Sequence, residues 1–148
     1  MGIFMVPAIR SFRVTMREQG RNVSCMQNLS RLGAGLSSYA ADNDDRLPVA
    51  DRWMDELQTA GTRDRNLHCP EVRSVNPGAF GYAFNKEMSG KKVSEVKPNT
   101  VALFDSTFLT RNATSGIESL PNPGRHKGRG KTSNNLIMLD GSMEVRYR

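Results

Sequence analysis

The sequence predicts an α+β fold in which a long N-terminal amphipathic helix packs on a small antiparallel sheet of three or four strands. Three observations predict it. Apolar residues keep helical spacing from Ile9 to Ala40. A polar cluster, Asp42, Asn43, Asp44 and Asp45, then stops that pattern ahead of Pro48. Beyond residue 79 the chain turns to short apolar runs separated by turn residues, closing on a hairpin signal at Asp140-Gly141.

In the helix, Ile9, Phe12 and Met16 begin an apolar stripe. Val23, Met26, Leu29, Leu32, Gly33, Leu36 and Tyr39 continue it as the expected packing face. Arg10, Arg13, Arg17, Arg21 and Arg31 fall mostly elsewhere. Gly20 is an expected weak point, because glycine in a helix interior costs about 1 kcal/mol relative to alanine. Gly33, Ala34 and Gly35 lack bulk, so the helix is expected to lie there against something flat. It should end near Ala41, since Asp and Asn favour turns over helix interior. Pro48 keeps Leu47 extended.

A short helix is expected over Asp51–Thr59, with Trp53, Met54 and Leu57 on one face and Gly61 near its end. Residues 61–79 read as loop, holding Cys69-Pro70 and Asn76-Pro77-Gly78. Strands are expected at Phe80–Asn85, Thr100–Asp105, Asn135–Asp140 and Ser142–Tyr147. In the last, Met143, Val145 and Tyr147 alternate with polar residues. Residues 106–134 read as a long glycine-rich polar loop. The helix, residues 1–41, and the body, residues 42–148, are expected to form one continuous domain, as 148 residues suit a single modest core.

The mean hydropathy is -0.54 and the net charge +6, with the excess base mostly in the second half. It peaks at Arg125, Lys127, Arg129 and Lys131 in the loop 124–131. Such a loop offers a contact surface for nucleic acid or an acidic polymer. No aromatic residues interleave with these charges, so the stacking pattern of single-strand binders is missing. The apolar start, Met1–Ile9, is far short of the ~20 residues that span a bilayer. Two cysteines, Cys25 and Cys69, match no zinc spacing and are either a disulfide or two free thiols. An oxidising compartment would favour the bridge, a constraint of about 4 kcal/mol in the chain-entropy model.

No motif specifies catalysis. Gly128-Arg129-Gly130-Lys131-Thr132 lacks the first glycine of a phosphate-binding loop, and a strand rather than a helix follows it. No Gly-x-Ser-x-Gly elbow accompanies His68 or His126. Asp42, Asp44 and Asp45 could offer oxygens to calcium, but the glycine and distal glutamate of a calcium loop are missing. Asp105, His126 and Asp140 sit at strand ends or in the intervening loop. They are expected to meet as a hydrogen-bonded polar cluster tying the loop to the sheet, with no cofactor required; a metal ion held by the three is the less favoured alternative. Asn112-Ala113-Thr114 is a glycosylation sequon, a pattern that also arises by chance.

Residues 20–48 resemble the helix end of bacterial pilin-like proteins of the type II secretion and type IV pilus class. The subgroup in question carries a prepilin-type N-terminal methylation segment. Its members typically read Arg-x-x-Cys-x-x-Asn-Leu-x-x-Leu-Gly, then Tyr-Ala-x-Asp-Asn, then Leu-Pro. Here those positions are Asn22 (Arg in many members, with Arg21 adjacent), Cys25, Asn28, Leu29, Leu32, Gly33, Tyr39, Ala40, Asp42, Asn43, Leu47 and Pro48. Trp53, Cys69-Pro70, Gly81-Tyr82, Asn85 and Phe104-Asp105-Ser106 follow in order, and Arg125-His126 with Asp140-Gly141 resembles the family's C-terminal signature. The chain departs from the family in two places. It starts near the end of the family's apolar helix, without the processing Gly and Glu. Thirteen residues, rather than nine, separate His126 from Asp140. The resemblance implies a non-catalytic pilin-like (pseudopilin) subunit that assembles through its helix with other pilin-like subunits. It implies an inner-membrane anchor in the complete helix and a body facing the periplasm or exterior. That oxidising location would favour a Cys25–Cys69 bridge. A soluble binding module using loop 124–131 is the alternative reading.

Overall fold

The computed structural model describes the backbone of residues 5–128 and 130–148, and the side chains of residues 16–128 and 130–148. Helix α1 runs Met5–Asp42. Its end is built by the acidic turn: the Asp45 N–H donates to the Ala40 carbonyl at 2.8 Å, and Asp44 and Asp45 take φ of 55° and 65°. Asp tolerates this left-handed region better than most residues, which explains why the cluster stops the helix. Its carboxylates are exposed, and Asp45 Oδ2 accepts the Ser94 N–H at 3.2 Å.

Helix α2, Trp53–Thr59, follows a 3-10 turn at Ala50–Arg52 and buries Trp53, Met54 and Leu57 as the spacing requires. Trp53 stacks on Phe84 and donates its indole N–H to the Ala113 carbonyl at 2.9 Å. Residues 61–79, expected as loop, contain a 3-10 turn, Asp64–Leu67, and the short helix α3, Pro70–Arg73. Pro70 opens α3, where its missing N–H costs nothing.

Among the described residues the sheet has six strands rather than three or four, and it is mixed. They are β1 Tyr82–Asn85, β2 Val101–Asp105, β3 Thr114–Ser115, β4 His126–Lys127, β5 Thr132–Met138 and β6 Met143–Tyr147. β1–β2, β2–β5, β4–β5 and β5–β6 are antiparallel, while β3 runs parallel to β1. β3, β4 and the first half of β5 arise from the stretch read as loop. The turn between β5 and β6 holds four residues, Leu139 to Ser142, with Asp140 and Gly141 at its centre. The Gly141 N–H donates to the Met138 carbonyl, the Met138 N–H to the Ser142 carbonyl, and Gly141 takes φ +87°.

α1 lies on one face of this sheet. Leu29, Leu32 and Leu36 share a core with Trp53, Leu57, Tyr82, Phe84, Leu103 and Ile137. The other face is covered as well: Ala83, Phe104, Leu136 and Met138 pack with Ala113 and Leu120. Burial on both faces explains why residues 101–104 and 136–139 read as continuous apolar runs. Gly33 is the close approach, since a Cβ there would lie 2.8 Å from Ile137 Cδ1. Gly35 faces Thr62 and Leu57, and Ala34 is exposed. Of the expected packing face, Val23 is 52% exposed and Met26 only half-buried. The buried stripe instead runs through Cys25, Asn28, Leu29, Leu32, Gly33, Leu36 and Ala40. Steps of three alone drift around a helix of 3.6 residues per turn, which carries Val23 and Met26 off the face.

Candidate functional site: a buried cluster between helix and sheet

β5 offers two edges. β6 occupies one, along Ser133–Ile137. β2 and β4 share the other, β2 opposite Leu136–Met138 and β4 opposite Thr132 and Ser133. A gap therefore remains where β2 ends at Asp105 and β4 begins at His126, facing Asn134 and Asn135. Side chains fill it. The Asn135 N–H donates to Asp105 Oδ2 at 2.8 Å, and the Arg125 N–H to Asn134 Oδ1 at 2.9 Å. Gly124 makes β4 possible: a Cβ there would sit 2.5 Å from the Ser133 backbone nitrogen, so only glycine fits.

Pleating alternates side chains between faces, so Leu103 and Asp105 both point at α1. There Asp105 meets Cys25 of α1, Cys69 just ahead of α3, and His126. Cys25, Cys69 and Asp105 are 0% exposed and His126 2%. The two sulfurs lie 2.8 Å apart and are not joined. Cys25 Sγ lies 3.5 Å from Asp105 Oδ1, and His126 Nε2 lies 3.1 Å from Asp105 Oδ2. One ligand atom from each of the four residues lies within 4.8 Å of all the others. Around them, the Tyr82 hydroxyl is 3.1 Å from Cys25 Sγ and accepts from Asn28 Nδ2 at 3.2 Å. Arg125 Nη1 donates to Asp105 Oδ1 at 3.3 Å and to the Gly81 carbonyl at 2.6 Å, and Nη2 donates to the Ser106 carbonyl.

These contacts divide the titrations of the two thiols. Burial pushes the Cys25 thiol well above its ordinary range, reinforced by its hydrogen bond to Cys69 and by the Asp105 charge. Burial acts on Cys69 in the same direction. There the hydrogen bonds from Cys25 and His126 and the Arg125 charge outweigh it, bringing the thiol down to about 5. Burial disfavours charge on His126 too, yet its hydrogen bonds to Asp105 and Cys69 raise it to about 9. The contacts within the cluster thus pull Cys69 down and His126 up against burial, and both lie sealed from solvent. A thiolate needs access as well as charge to act as a nucleophile.

The polar trio expected from the sequence is only partly assembled. Asp105 and His126 meet, but Asp140 lies in the exposed β5–β6 turn, where its carboxylate accepts the Ser142 N–H and hydroxyl. Cys25 and Cys69 take the remaining places, and Tyr82, Arg125 and Asn135, not singled out for this role, complete the surroundings. The basic loop also changes. The Arg125 side chain is 7% exposed and paired with Asp105, so it contributes nothing to a surface. Lys127 and Lys131 are exposed, with Lys131 Nζ 5.4 Å from the Tyr147 ring centre, while Arg129 lies outside the described residues. His68 is structural: it stacks on Phe80, and its nitrogens meet the Ala79 carbonyl and Asp64. Asn112 of the sequon is likewise engaged, with Oδ1 accepting the Met54 N–H at the start of α2 at 2.7 Å. Among the described residues, no helix is long and apolar enough to cross a membrane.

Comparison with protein-family models, with curated proteins and with solved structures finds no significant match to this chain.

Proposed function

We propose that the chain is a structural pilin-like subunit that acts by helix-mediated assembly with other pilin-like subunits of a type II secretion or type IV pilus-like system. The carrying observation is the division of labour along α1. From Cys25 onward its apolar stripe is consumed by the sheet. Ahead of Cys25, among the residues whose side chains are described, none is buried, and Met16 is 56% and Val23 52% exposed. One polar clamp, Arg21 to Glu71 at 2.6 Å, and one amide contact, Asn22 to Asn135 at 2.8 Å, hold that part to the body. A helix fixed at one end and uncovered along the other suits packing against neighbouring helices. The sealing of Cys69 and His126 supports a non-catalytic role. The body would face the periplasm or exterior, with an apolar helix extension in the inner membrane.

The gene tests this reading. An in-frame apolar helix preceded by a Gly-Phe-x-x-x-Glu processing site is expected upstream of Met1. A translational start at Met1 with no such segment would overturn the anchored-subunit reading.

A further inference from the structure

We propose that Cys25, Cys69, Asp105 and His126 form a closed structural site for one tetrahedral divalent transition-metal ion, zinc by its donor chemistry. The inference stands on the cluster alone and does not depend on the assembly reading.

Four donors of the types that zinc takes, two sulfurs, an imidazole nitrogen and a carboxylate oxygen, converge from four separate elements. Zinc bonds of about 2.0–2.3 Å in a tetrahedron place neighbouring donors roughly 3.3–3.8 Å apart. Cys25 Sγ lies 3.5 Å from Asp105 Oδ1 and His126 Nε2 3.1 Å from Asp105 Oδ2, so the carboxylate would turn to offer both neighbours one oxygen, within a set whose donors all lie inside 4.8 Å of one another. The sulfurs, at 2.8 Å, would move apart by under an ångström, within reach of small side-chain rotations. Two soft sulfurs with an imidazole select zinc over calcium or magnesium, which want oxygen shells.

Charge supports the same conclusion. In the form that ligates a metal, two thiolates, a carboxylate, a neutral imidazole and the Arg125 guanidinium sum to two negative charges, so a dication makes the bound site neutral. Zinc takes cysteine as thiolate and histidine as neutral imidazole, so binding releases protons to solvent. A disulfide would use only the two sulfurs, whereas a metal ion would engage Asp105 and His126 as well.

The surroundings are those of a metal site with an ordered outer shell. Arg125 and the Asn135 N–H fix the two oxygens of Asp105. The Tyr82 hydroxyl, itself held by Asn28, addresses Cys25 Sγ. His126 turns Nε2 toward the cluster, while Nδ1, buried, has no hydrogen-bond partner among the described residues and is the one ligand contact that this outer shell leaves open. Such outer contacts orient ligands, and losing one typically weakens metal binding 10- to 100-fold.

The test uses the full chain purified without chelator, with zinc measured by elemental mass spectrometry. The chain is then stripped under reductant and titrated with Co2+, watching the visible d–d bands and the near-ultraviolet thiolate charge-transfer band. One ion per chain with intense tetrahedral cobalt bands is expected, and Tyr82→Phe should weaken Co2+ binding by about 10-fold. Circular dichroism on the stripped wild type establishes that it is folded. A folded, reduced wild-type chain that gives no cobalt bands would overturn the proposal. So would a chain isolated from its native compartment with Cys25 and Cys69 joined in a disulfide and no bound zinc.

Discussion

Replacing Gly33 by alanine places a methyl carbon 2.8 Å from Ile137 Cδ1 and 3.4 Å from its Cγ1. Two effects oppose each other. Alanine in the helix interior gains about 1 kcal/mol over glycine. Overpacking a tight contact costs about 1–3 kcal/mol. Gly33→Ala alone should therefore lie between neutral and about 2 kcal/mol destabilising. Ile137→Val removes Cδ1, the clashing atom, from a side chain 1% exposed, at a cost of about 0.5–1.5 kcal/mol. In that background the alanine has room and only its helix gain remains. The double variant should then be as stable as Ile137→Val or up to about 1 kcal/mol more stable, a coupling of about 1–3 kcal/mol. Urea unfolding of the four proteins reads this directly. If Gly33→Ala stabilises both backgrounds by the same ~1 kcal/mol, the effects are additive and α1 does not lie against β5 as described.

Three further outcomes are expected. Asn112→Ala removes the acceptor that caps the first N–H groups of α2 and should cost about 1–2 kcal/mol in thermal or urea unfolding; an unchanged midpoint would contradict the cap. The Arg21–Glu71 pair is partly exposed, so a double-mutant cycle should give a coupling of only about 0.5–1 kcal/mol, falling with added salt. The Asp55 carboxyl is held below its ordinary range by its hydrogen bond from Arg111 and then by Asn112. A lowered folded-state pKa means that its contribution is present above the ordinary carboxylate range and is lost as pH falls through the lowered value. An NMR titration should show this midpoint rising in Arg111→Gln, and no movement would contradict the assignment.

Much of the fold is legible where local chemistry and tertiary packing agree. The Asp-rich stop falls within a residue of the observed helix end, because Asp both disfavours helix interior and tolerates positive φ at Asp44 and Asp45. Trp53, Met54 and Leu57 share a face in sequence and in the core alike. What escaped is what only packing creates. β3 and β4 are two residues each, too short for any period, and β4 exists because Gly124 lets the chain touch Ser133. Val23 keeps an apolar identity that the register of α1 turns outward. The cluster was half legible. Asp105 and His126 were paired from their places at a strand end and in the loop, and Cys25 and Cys69 were paired with each other. That all four meet depends on the gap that β2 and β4 leave along β5, and no sequence spacing encodes it. Polar residues closing or opening apolar runs, Asp105 after Val101–Phe104 and Asn134-Asn135 before Leu136, are the only local trace of it.

Assembly through the uncovered part of α1 can be measured most directly by placing a photo-crosslinking amino acid at Met16 of the full-length gene product in its native envelope. The account predicts light-dependent ladders of crosslinked pilin-like subunits. The same probe at buried Leu103 should give none. A Met16 probe that yields only monomer, in cells where the protein is folded and abundant, would contradict helix-mediated assembly.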